Sequence, residues 1–522
     1  MRTIRTSDYK NIFIVLVLIC FVCVCYLVLQ KRTQPPIKHI THRVSTPPES
    51  TENLELDSPY VPASEEPEDV DDNHEEDPPD FSLKDYPNFP AAFYEEGAKQ
   101  PPSLNKTCAQ FPSLEKILFN NLYWQTLNTH LGEYQLLGAY WDVRPKNKNA
   151  PTVRLLAMIT PLKITENLYC QFWFKDKVVL SQKTYHYFLW REGWGGNNEN
   201  NYKPYLINCK VPKEYMNKHP IAVSLVKNPC DKATNILKIT VNIPKEKQNF
   251  AVCVKGLDFH NDISMKLIEW IELLKILDVQ KIFFYELHVN EEVKKILKYY
   301  EEREGTIEMT PVTLPGHYPN EPYLQHMFLH QYRGKKRLYE LISYNDCFLK
   351  HMYEYKYIVL LDVDEIIIPT TGNWTTLIKQ ITSDPNNAGK SSYNARNVYF
   401  FDDYITEDDY STDIPPYMHM LQHIYRMKDV MGSGLYIKSF HNTDLVLALH
   451  NHYPFYCIEP CKNKEIDPTL AKLQHYRKTC VKEIKNCDKL KDTKVMDLTV
   501  WNYKKQLIDN VSALLDILSI SR

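Results

Sequence analysis

Residues 356–369, KYIVLLDVDEIIIP, place three carboxylates inside an apolar run. Five apolar residues precede Asp362, and three isoleucines follow Glu365. An unbroken apolar run is typical of a strand that is buried on both faces of a sheet. Asp362 and Asp364 alternate with Val363, so strand geometry predicts that both carboxylates point to the same side. The segment therefore predicts a buried central strand that ends in converging acids.

The sequence around this segment alternates between strand and helix patterns. The predicted elements are a strand at 250–257, an amphipathic helix at 267–277, a strand at 281–287, and helices at 290–303 and 335–352. Such alternation predicts an α/β fold with a Rossmann-like, mostly parallel sheet and helices on both faces. In sheets of this kind, ligands bind beyond the carboxyl ends of the strands. The acids are therefore predicted to lie at a ligand-binding edge.

Residues before this part have a different pattern, with short β-type runs separated by turn residues. The runs lie at 153–160, 169–175, 177–182, 221–227 and 236–243. Their spacing predicts an antiparallel, β-rich module. Cys170 and Cys209 lie in or beside two of the runs and could form a disulfide, although the sequence alone does not determine the pairing.

The loop at 190–205, WREGWGGNNENNYKPY, is rich in aromatic residues and asparagine. Aromatic rings have an apolar face that can stack on a sugar. A long surface loop is the simpler interpretation, and the sequence leaves both open.

Residues 12–29 are eighteen consecutive apolar residues. As a helix they would be about 27 Å long, close to the thickness of a bilayer core. A signal peptide is the alternative, but its apolar region is shorter and ends at small residues, whereas two basic residues follow here. Sequons at Asn105, Asn373 and Asn510, with ten cysteines after the apolar run, favour a lumenal C-terminal part. These features predict a single-pass type II membrane protein.

The segment after the apolar run combines proline pairs with few aliphatic residues, and it has fourteen acidic residues and no lysine or arginine between Arg43 and Lys84, which predicts a disordered stem. The net charge of the whole chain is −3, so the part outside the stem is net positive, which suits an anionic ligand. No footprint of general nucleic-acid binding is present. The predicted organisation is a cytoplasmic tail (1–11), a transmembrane anchor (12–29), the stem (30–105), a β-rich domain (106–247), a catalytic domain (248–500) and a C-terminal helix (501–522).

The sequence disfavours several other chemistries. It contains neither the P-loop pattern nor the G-x-S-x-G pattern of α/β-hydrolases. His326 and His330 have helical spacing, but the glutamate of a zinc-protease motif is missing. The basic run at 333–337 fits either a phosphate contact or a solvated helix face. Irregular spacing favours two disulfides over a zinc site for Cys457, Cys461, Cys480 and Cys487.

Asp362 and Asp364 predict a divalent-metal site. Two converging carboxylates repel each other unless a cation relieves them. Mg²⁺ and Mn²⁺ prefer oxygen ligands and commonly bridge a carboxylate and a diphosphate, whose charge they neutralise. His450, which directly ends an apolar run, is the predicted third ligand, and His452 follows two residues later. The alternative is a solvated strand end with ordinary surface histidines.

Four segments, in this order, resemble glycosyltransferase family 92. They are LIEWIELLKILDVQKIFFYE at 267–286, NDC at 345–347, YIVLLDVDEIIIP at 357–369 and HYR at 475–477. The resemblance implies an A-type nucleotide-sugar fold, a divalent metal that is usually Mn²⁺, and inverting transfer of galactose from UDP-galactose. It further implies β1,4 linkages to fucose or galactose of N-glycans, and a Golgi membrane protein with a lumenal catalytic domain.

The resemblance also implies roles for individual residues. Asp364 would bind the metal directly, and Asp362 would contact the ribose or bind the metal through water. Glu365 would orient the site or the acceptor, and Lys438 would face the diphosphate. His475 and Arg477 match the HYR segment of the family, and the resemblance implies no particular role for either residue.

Inverting transfer needs a carboxylate that takes the proton of the acceptor hydroxyl. The candidates are Glu365 in the acidic segment and, after it, Asp402, Asp403, Asp408 and Asp429. FFDDY at 400–404 departs from the glycine-containing pattern expected of the family. Two alternatives remain, namely the same fold with another UDP-sugar donor and a catalytically inactive, lectin-like glycan-binding protein.

Overall fold

The computed structural model describes residues 86–195, 201–406, 411–480, 487 and 492–519. The predicted tail and anchor, and the predicted stem up to residue 85, lie outside these residues. None of the helices in the described part is long and apolar enough to cross a membrane.

The first layer is a nine-stranded sheet, here called the N-terminal sheet, with the order β5-β4-β8-β9-β2-β3-β7-β6 and with β1 paired to β2. Its strands are β1 Gln125–Thr129, β2 Gly132–Asp142, β3 Thr152–Ile159, β4 Tyr169–Trp173, β5 Val178–Leu180, β6 Tyr185–Phe188, β7 Lys203–Lys210, β8 Ala222–Val226 and β9 Leu237–Thr240. All pairs are antiparallel except β2 with β9. The predicted β-rich module is confirmed, because each of its five apolar runs contains a strand.

The second layer, the central sheet, has the order β12-β11-β10-β13-β18-β15-β21. Its strands in chain order are β10 Gln248–Phe259, β11 Lys281–Val289, β12 Ile307–Pro311, β13 Tyr355–Leu360, β15 Ser392–Ala395, β18 Lys438–Asn442 and β21 Asn463–Glu465. The first four strands of the order are parallel, as predicted. Beyond them β18 is antiparallel to both of its neighbours, so the sheet is mixed.

A third sheet, here called the site sheet, has the order β14-β22-β16. It consists of β14 Glu365–Pro369, β16 Asn397–Phe401 and β22 Ala471–Arg477. Two further strand pairs join β17 Tyr425–Met427 to β23 Lys494–Met496, and β19 Val446–Leu449 to β20 Pro454–Cys457.

The helices pack on the central sheet. They are α1 Ser264–Ile276, α2 Glu291–Tyr299, α3 Pro322–Gln331, α4 Arg333–His351, α5 Trp374–Thr382, α6 His419–Gln422 and α7 Lys504–Leu518. The side chains of Asn290 and Asn373 accept hydrogen bonds from backbone N–H groups in the first turns of α2 and α5, which caps both helices. The helical patterns read from the sequence at α1, α2 and α4 are confirmed.

Strand β10 shows why the central sheet is apolar on both faces. Phe250, Val252 and Val254 belong to a core that also contains residues of α1, α2, α5 and α7. Ala251 and Cys253 face a second core, formed with α4 and with residues of the N-terminal sheet. Helix α4 thus packs between the N-terminal and central sheets, which fixes both relative to each other.

The NDC segment holds this arrangement together. The carboxylate of Asp346 accepts hydrogen bonds from Tyr140 of the N-terminal sheet and from Tyr285 of the central sheet. Asn345 accepts a bond from the Leu449 N–H and donates to the Leu449 carbonyl, which fixes the end of β19. Cys347 is bonded to Cys253. These contacts assign a structural role to the segment.

Five disulfides join the ten cysteines after the apolar run. The predicted Cys170–Cys209 bond is present, and the last four cysteines form two bonds, as expected. The bonds are Cys108–Cys230, Cys170–Cys209, Cys253–Cys347, Cys457–Cys461 and Cys480–Cys487.

Residues 86–105, which the sequence assigned to the stem, belong to the described part of the chain. Phe93 is 7% exposed, and its ring contacts Phe111, which in turn packs edge-on against Trp173. Burial of these rings stabilises an ordered segment, so the packed region begins earlier in the sequence than the proline and charge pattern indicated.

Because His441 on β18 is buried without a hydrogen-bond partner in the part of the chain that the structure describes, we expect the stability of the fold to decrease at acidic pH. His441 is fully buried, neither ring nitrogen has a hydrogen-bond partner among the described residues, and burial lowers its pKa to about 3. Between pH 6.5 and about 3 the unfolded chain binds a proton that the folded protein does not, so stability falls as the pH falls. At about pH 5 this contribution is about 2 kcal/mol.

When the pH is lowered from about 7.5 to 5, the unfolding free energy of His441→Phe is expected to fall by about 2 kcal/mol less than that of the wild type. Urea denaturation at the two pH values measures the difference. The matched control is His219→Phe, because His219 is exposed. An equal pH-dependent loss in wild type and His441→Phe would contradict the assignment.

Candidate functional site

The acids of the opening segment lie in a turn between two sheets. Strand β13 ends at Leu360, and β14 begins at Glu365. The predicted buried strand that ends at the acids is confirmed, but Asp362 and Asp364 lie in the turn after it, so the strand alternation expected of their side chains is wrong. The physical reason is a change of pairing partners, since β13 pairs within the central sheet and β14 pairs with β22 of the site sheet. We call residues 362–364 the acid turn.

Two lysines neutralise Asp362. Its carboxylate lies 3.0 Å from Nζ of Lys255 and 3.5 Å from Nζ of Lys438, and it accepts a hydrogen bond from Tyr344. Burial alone would raise the pKa of Asp362, but the two ammonium groups hold it well below its usual range. Asp362 is therefore a partly buried anion with its own counter-charges.

Asp364 is more open. Its side chain is 48% exposed, and one carboxylate oxygen lies 3.3 Å from Nε2 of His475. Burial would lower the pKa of His475, but the Asp364 carboxylate outweighs this and raises it. The Asp364 carbonyl accepts a bond from the Tyr476 N–H, so β22 holds the turn through the backbone, independently of the side chain.

Glu365 is buried beneath the acid turn. Its Oε1 lies 2.7 Å from Nζ of Lys438, and its Oε2 lies 3.4 Å from Nδ1 of His475. Trp270 of α1 donates a hydrogen bond to the Glu365 carbonyl. Both carboxylate oxygens therefore face positively charged or imidazole groups, and the side chain holds Lys438 and His475 in place.

The acid turn opens onto two adjoining cavities of about 500 and 850 Å³. Asp362, Lys255, His475 and Arg477 line both of them, and Asp364 lines the smaller one. One wall of the larger cavity is basic and consists of Arg333, Lys336 and Arg337 at the start of α4. The basic run at 333–337 therefore faces a cavity, where a phosphate contact is possible.

His450 and His452 also line the larger cavity. Burial lowers the pKa of His450 to about 3 and that of His452 to about 4, so both rings are neutral. The Nδ1 of His450 has no hydrogen-bond partner in the described part of the chain. As placed, His450 does not converge with Asp362 and Asp364 into a three-ligand group.

The other predicted acids that the structure describes are not part of either cavity lining, although Asp402 lies 3.6 Å from Nε2 of His419, which lines the smaller cavity. Asp402 lies 2.9 Å from Nε2 of His423, and Asp403 accepts a hydrogen bond from Thr479. Neither aspartate is among the described residues that line the two cavities. Asp429 is exposed and also lies outside both linings, and Asp408 falls outside the described residues.

Lys255, the shortest cationic contact of Asp362, was not predicted from the sequence, because an isolated lysine within a strand has no distinguishing pattern. Nor were two groups in which three possible ligand atoms lie within 4.8 Å of one another. In one group, His419 and His423 have helical spacing, which is a signal visible in the sequence. In the other, His326 lies close to Asp258 and His260, and His330 is not a member. The groups are Asp258, His260 and His326, and Asp402, His419 and His423.

The three sequons differ in accessibility. The Asn105 side chain is exposed, whereas the Asn373 side chain caps α5. The Asn510 amide donates to Glu272, a residue that is only 2% exposed. Asn105 is therefore the most accessible of the three to a glycan.

The family comparison assigns the chain to one class of enzyme, the glycosyltransferases, and the mixed α/β fold is consistent with it. Residues 248–511 match the family model of glycosyltransferase family 92, and since this is half of the chain, the protein belongs to that family. The matched range contains the central sheet, the site sheet and the acid turn, and it excludes the N-terminal sheet.

Two known proteins show similarity over parts of the chain. The beta-1,4-galactosyltransferase galt-1 of Caenorhabditis elegans is 23% identical over 278 residues, which cover 51% of this chain and 58% of that relative. The X-ray structure of the mannosyltransferase Ktr4p from S. cerevisiae has 13% sequence identity and a TM-score of 0.17, and the match covers 31% of this chain and 45% of that chain.

Proposed function

We propose that this glycosyltransferase transfers galactose from UDP-galactose to a hydroxyl of a glycan, with inversion at the anomeric carbon. The main support is the acid turn at the edge of a cavity with a basic wall, an arrangement that suits a diphosphate and a cation together. The donor sugar and a β1,4 linkage rest on the family and on the name of the C. elegans relative. We further propose fucose or galactose of an N-glycan as the acceptor.

The residues of the acid turn fit a divalent cation such as Mn²⁺ or Mg²⁺. Asp364 offers a half-exposed carboxylate to the cavity, and carboxylate oxygens suit both ions. We place the ion on the two aspartates, because His450, the third ligand expected from the sequence, does not converge with them as placed. When bound, the ion would neutralise charge on the diphosphate of the donor.

The lysines position the donor in this proposal. Lys255 and Lys438 hold Asp362 ionised and add positive charge to the cavity, while the basic wall provides contacts for the phosphates. Glu365 acts as a positioning residue, because both of its oxygens face Lys438 and His475 and are poorly placed to take a proton from an acceptor.

The cellular setting of the proposal is the Golgi lumen, with residues 12–29 as the anchor of a type II membrane protein. This setting rests on the apolar run, the sequons and the family. The five disulfides are consistent with an oxidising compartment.

A donor panel tests the function. Full-length protein is incubated with UDP-galactose, UDP-N-acetylhexosamines and UDP-glucose, N-glycan acceptors, and either Mn²⁺ or EDTA, and NMR identifies the new linkage. We expect transfer of galactose in β configuration, at least about tenfold faster than any other sugar and dependent on the metal. Faster transfer of another sugar would overturn the donor assignment. Glycan binding without any transfer would favour a lectin-like protein.

A further inference from the structure

Two tryptophans outside the family match line the larger cavity. Trp190 and Trp194 follow β6 of the N-terminal sheet, yet they share the lining of this cavity with Asp362 and Lys438. The residues that match the family model begin only at 248, so the family comparison says nothing about either ring. We call Trp190 and Trp194 the tryptophan wall.

The tryptophan wall is held in a defined orientation. The two rings lie edge to face with centroids 5.0 Å apart, and the indole N–H of Trp190 donates to the Gly195 carbonyl. The ring of Trp194 lies 4.7 Å from that of His450 and has the Arg191 guanidinium over its face. These contacts fix the rings before any ligand arrives, which reduces the entropy lost on binding.

The strand before the wall is docked on the catalytic part of the chain. The ring of Tyr187 stacks on that of Tyr456 at 4.5 Å, and the Tyr456 hydroxyl donates to the Phe188 carbonyl. Since Tyr456 lies on β20, which pairs with β19 just before His450, the N-terminal sheet and the acid-turn region share a rigid connection. These contacts therefore fix the position of the tryptophan wall relative to the catalytic part of the chain.

The larger cavity thus has two chemically different sides. The basic wall of α4 suits the phosphates of the donor, whereas the tryptophan wall offers apolar rings, of which Trp194 is 38% exposed. Exposed indole rings in a cavity are a typical binding surface for ligands with one apolar and one polar side. A pyranose has this property, because its C–H groups form an apolar face and its hydroxyls project from the edge.

We infer that the tryptophan wall binds the terminal neutral pyranose of the acceptor glycan and orients its hydroxyl towards the donor. This inference rests on the proposed function and extends it, because it assigns acceptor recognition to the N-terminal sheet. Trp194 is the main contact through its exposed face, and Trp190 supports its orientation. Neither tryptophan takes part in binding the donor.

Kinetics of Trp194→Ala and Trp194→Phe in the full-length protein test the inference. Trp194→Ala is expected to raise the acceptor KM at least about tenfold, and Trp194→Phe less, because phenylalanine keeps an aromatic ring for the sugar to pack on. UDP affinity and hydrolysis of UDP-galactose without acceptor are expected to change less than about twofold. The matched control is Phe119→Ala, an exposed aromatic residue of the same part of the chain outside both cavity linings.

Saturation-transfer NMR with an N-glycan, UDP and Mn²⁺ separates this inference from the proposed function. Signals of the terminal sugar C–H groups in the wild type that are lost in Trp194→Ala support the wall, even if no sugar is transferred. An unchanged acceptor KM, an equal fall in UDP affinity, or glycan signals that persist in Trp194→Ala would overturn it. So would a wild-type protein that gives no glycan signal at all.

Discussion

Asp364→Asn is expected to lower kcat for sugar transfer by about 10²- to 10³-fold, the range seen when one preorganised electrostatic contact is removed from an active site. Asn keeps the shape of the side chain but removes the charge that favours a divalent cation. The fold is expected to survive, because β22 holds the turn through the Asp364 carbonyl. Initial rates at saturating donor and acceptor, over a range of Mn²⁺ concentrations, measure the effect.

The matched control for this variant is Asp176→Asn. Asp176 has a side chain that is 62% exposed, pairs only loosely with Lys218 at 3.6 Å, and lies outside both cavity linings. Its activity is expected to equal that of the wild type. Undiminished transfer by Asp364→Asn would remove this carboxylate from the site, and partial activity restored by higher Mn²⁺ would support a direct ligand.

Lys438→Met is expected to abolish detectable transfer and to lower the unfolding free energy by about 3–5 kcal/mol, because it leaves the buried Glu365 carboxylate without its ammonium counter-charge. Lys438 is 1% exposed, and its ammonium group contacts Glu365, Asp362 and Asn451. Burial would lower its pKa, but the Asp362 and Glu365 carboxylates raise it, so the group is a permanent cation at neutral pH. Chemical denaturation and the transfer assay measure the two effects separately.

A double variant distinguishes a charge effect from a packing effect. Lys438→Met combined with Glu365→Gln removes one cation and one anion, and Asp362 keeps Lys255. The loss of stability is expected to be about 0.5–3 kcal/mol smaller than the sum of the two single losses, while activity stays low. Strictly additive losses of stability would contradict a coupled buried pair.

The elements of the fold could be predicted from the sequence because local periodicity determines them. The apolar run before Asp362 became β13, and the spacing of leucines in α1 matched a helix. The predicted amphipathic character of α1 is wrong, because residues 267–274 are all buried and the helix is enclosed on every side. The parallel half of the central sheet followed from the alternation of strands and helices. The antiparallel pairing of β18 could not be predicted in this way, because no local pattern in the sequence indicates which strand it pairs with.

The site was predictable only in part. Asp362, Asp364, Glu365 and Lys438 were named from the sequence, and the structure brings all four to the lining of the two adjoining cavities, although the roles assigned to them stay predictions. The acid turn itself was not predicted, because it forms where the chain leaves the central sheet and enters the site sheet. Long-range pairing of this kind leaves no trace in a short stretch of sequence.

Partners distant along the chain account for the other differences. Lys255 reaches Asp362 only because β10 and β13 are neighbours in the sheet, and Trp194 reaches His450 only because β6 and β20 dock. The aromatic loop at 190–205 had two open interpretations in the sequence. The position of Trp190 and Trp194 in the lining of the larger cavity supports the binding role that we propose for these two residues.

Calorimetric titration of UDP into the full-length protein, with Mn²⁺ and then with EDTA, tests most directly whether the acid turn binds a metal-bound diphosphate. We expect UDP to bind the wild-type protein in the presence of Mn²⁺ and its affinity to fall at least about tenfold in EDTA. We expect the same fall in UDP affinity for Asp364→Asn with Mn²⁺ present. UDP affinity that is identical with and without Mn²⁺, or no UDP binding under either condition, would contradict this expectation.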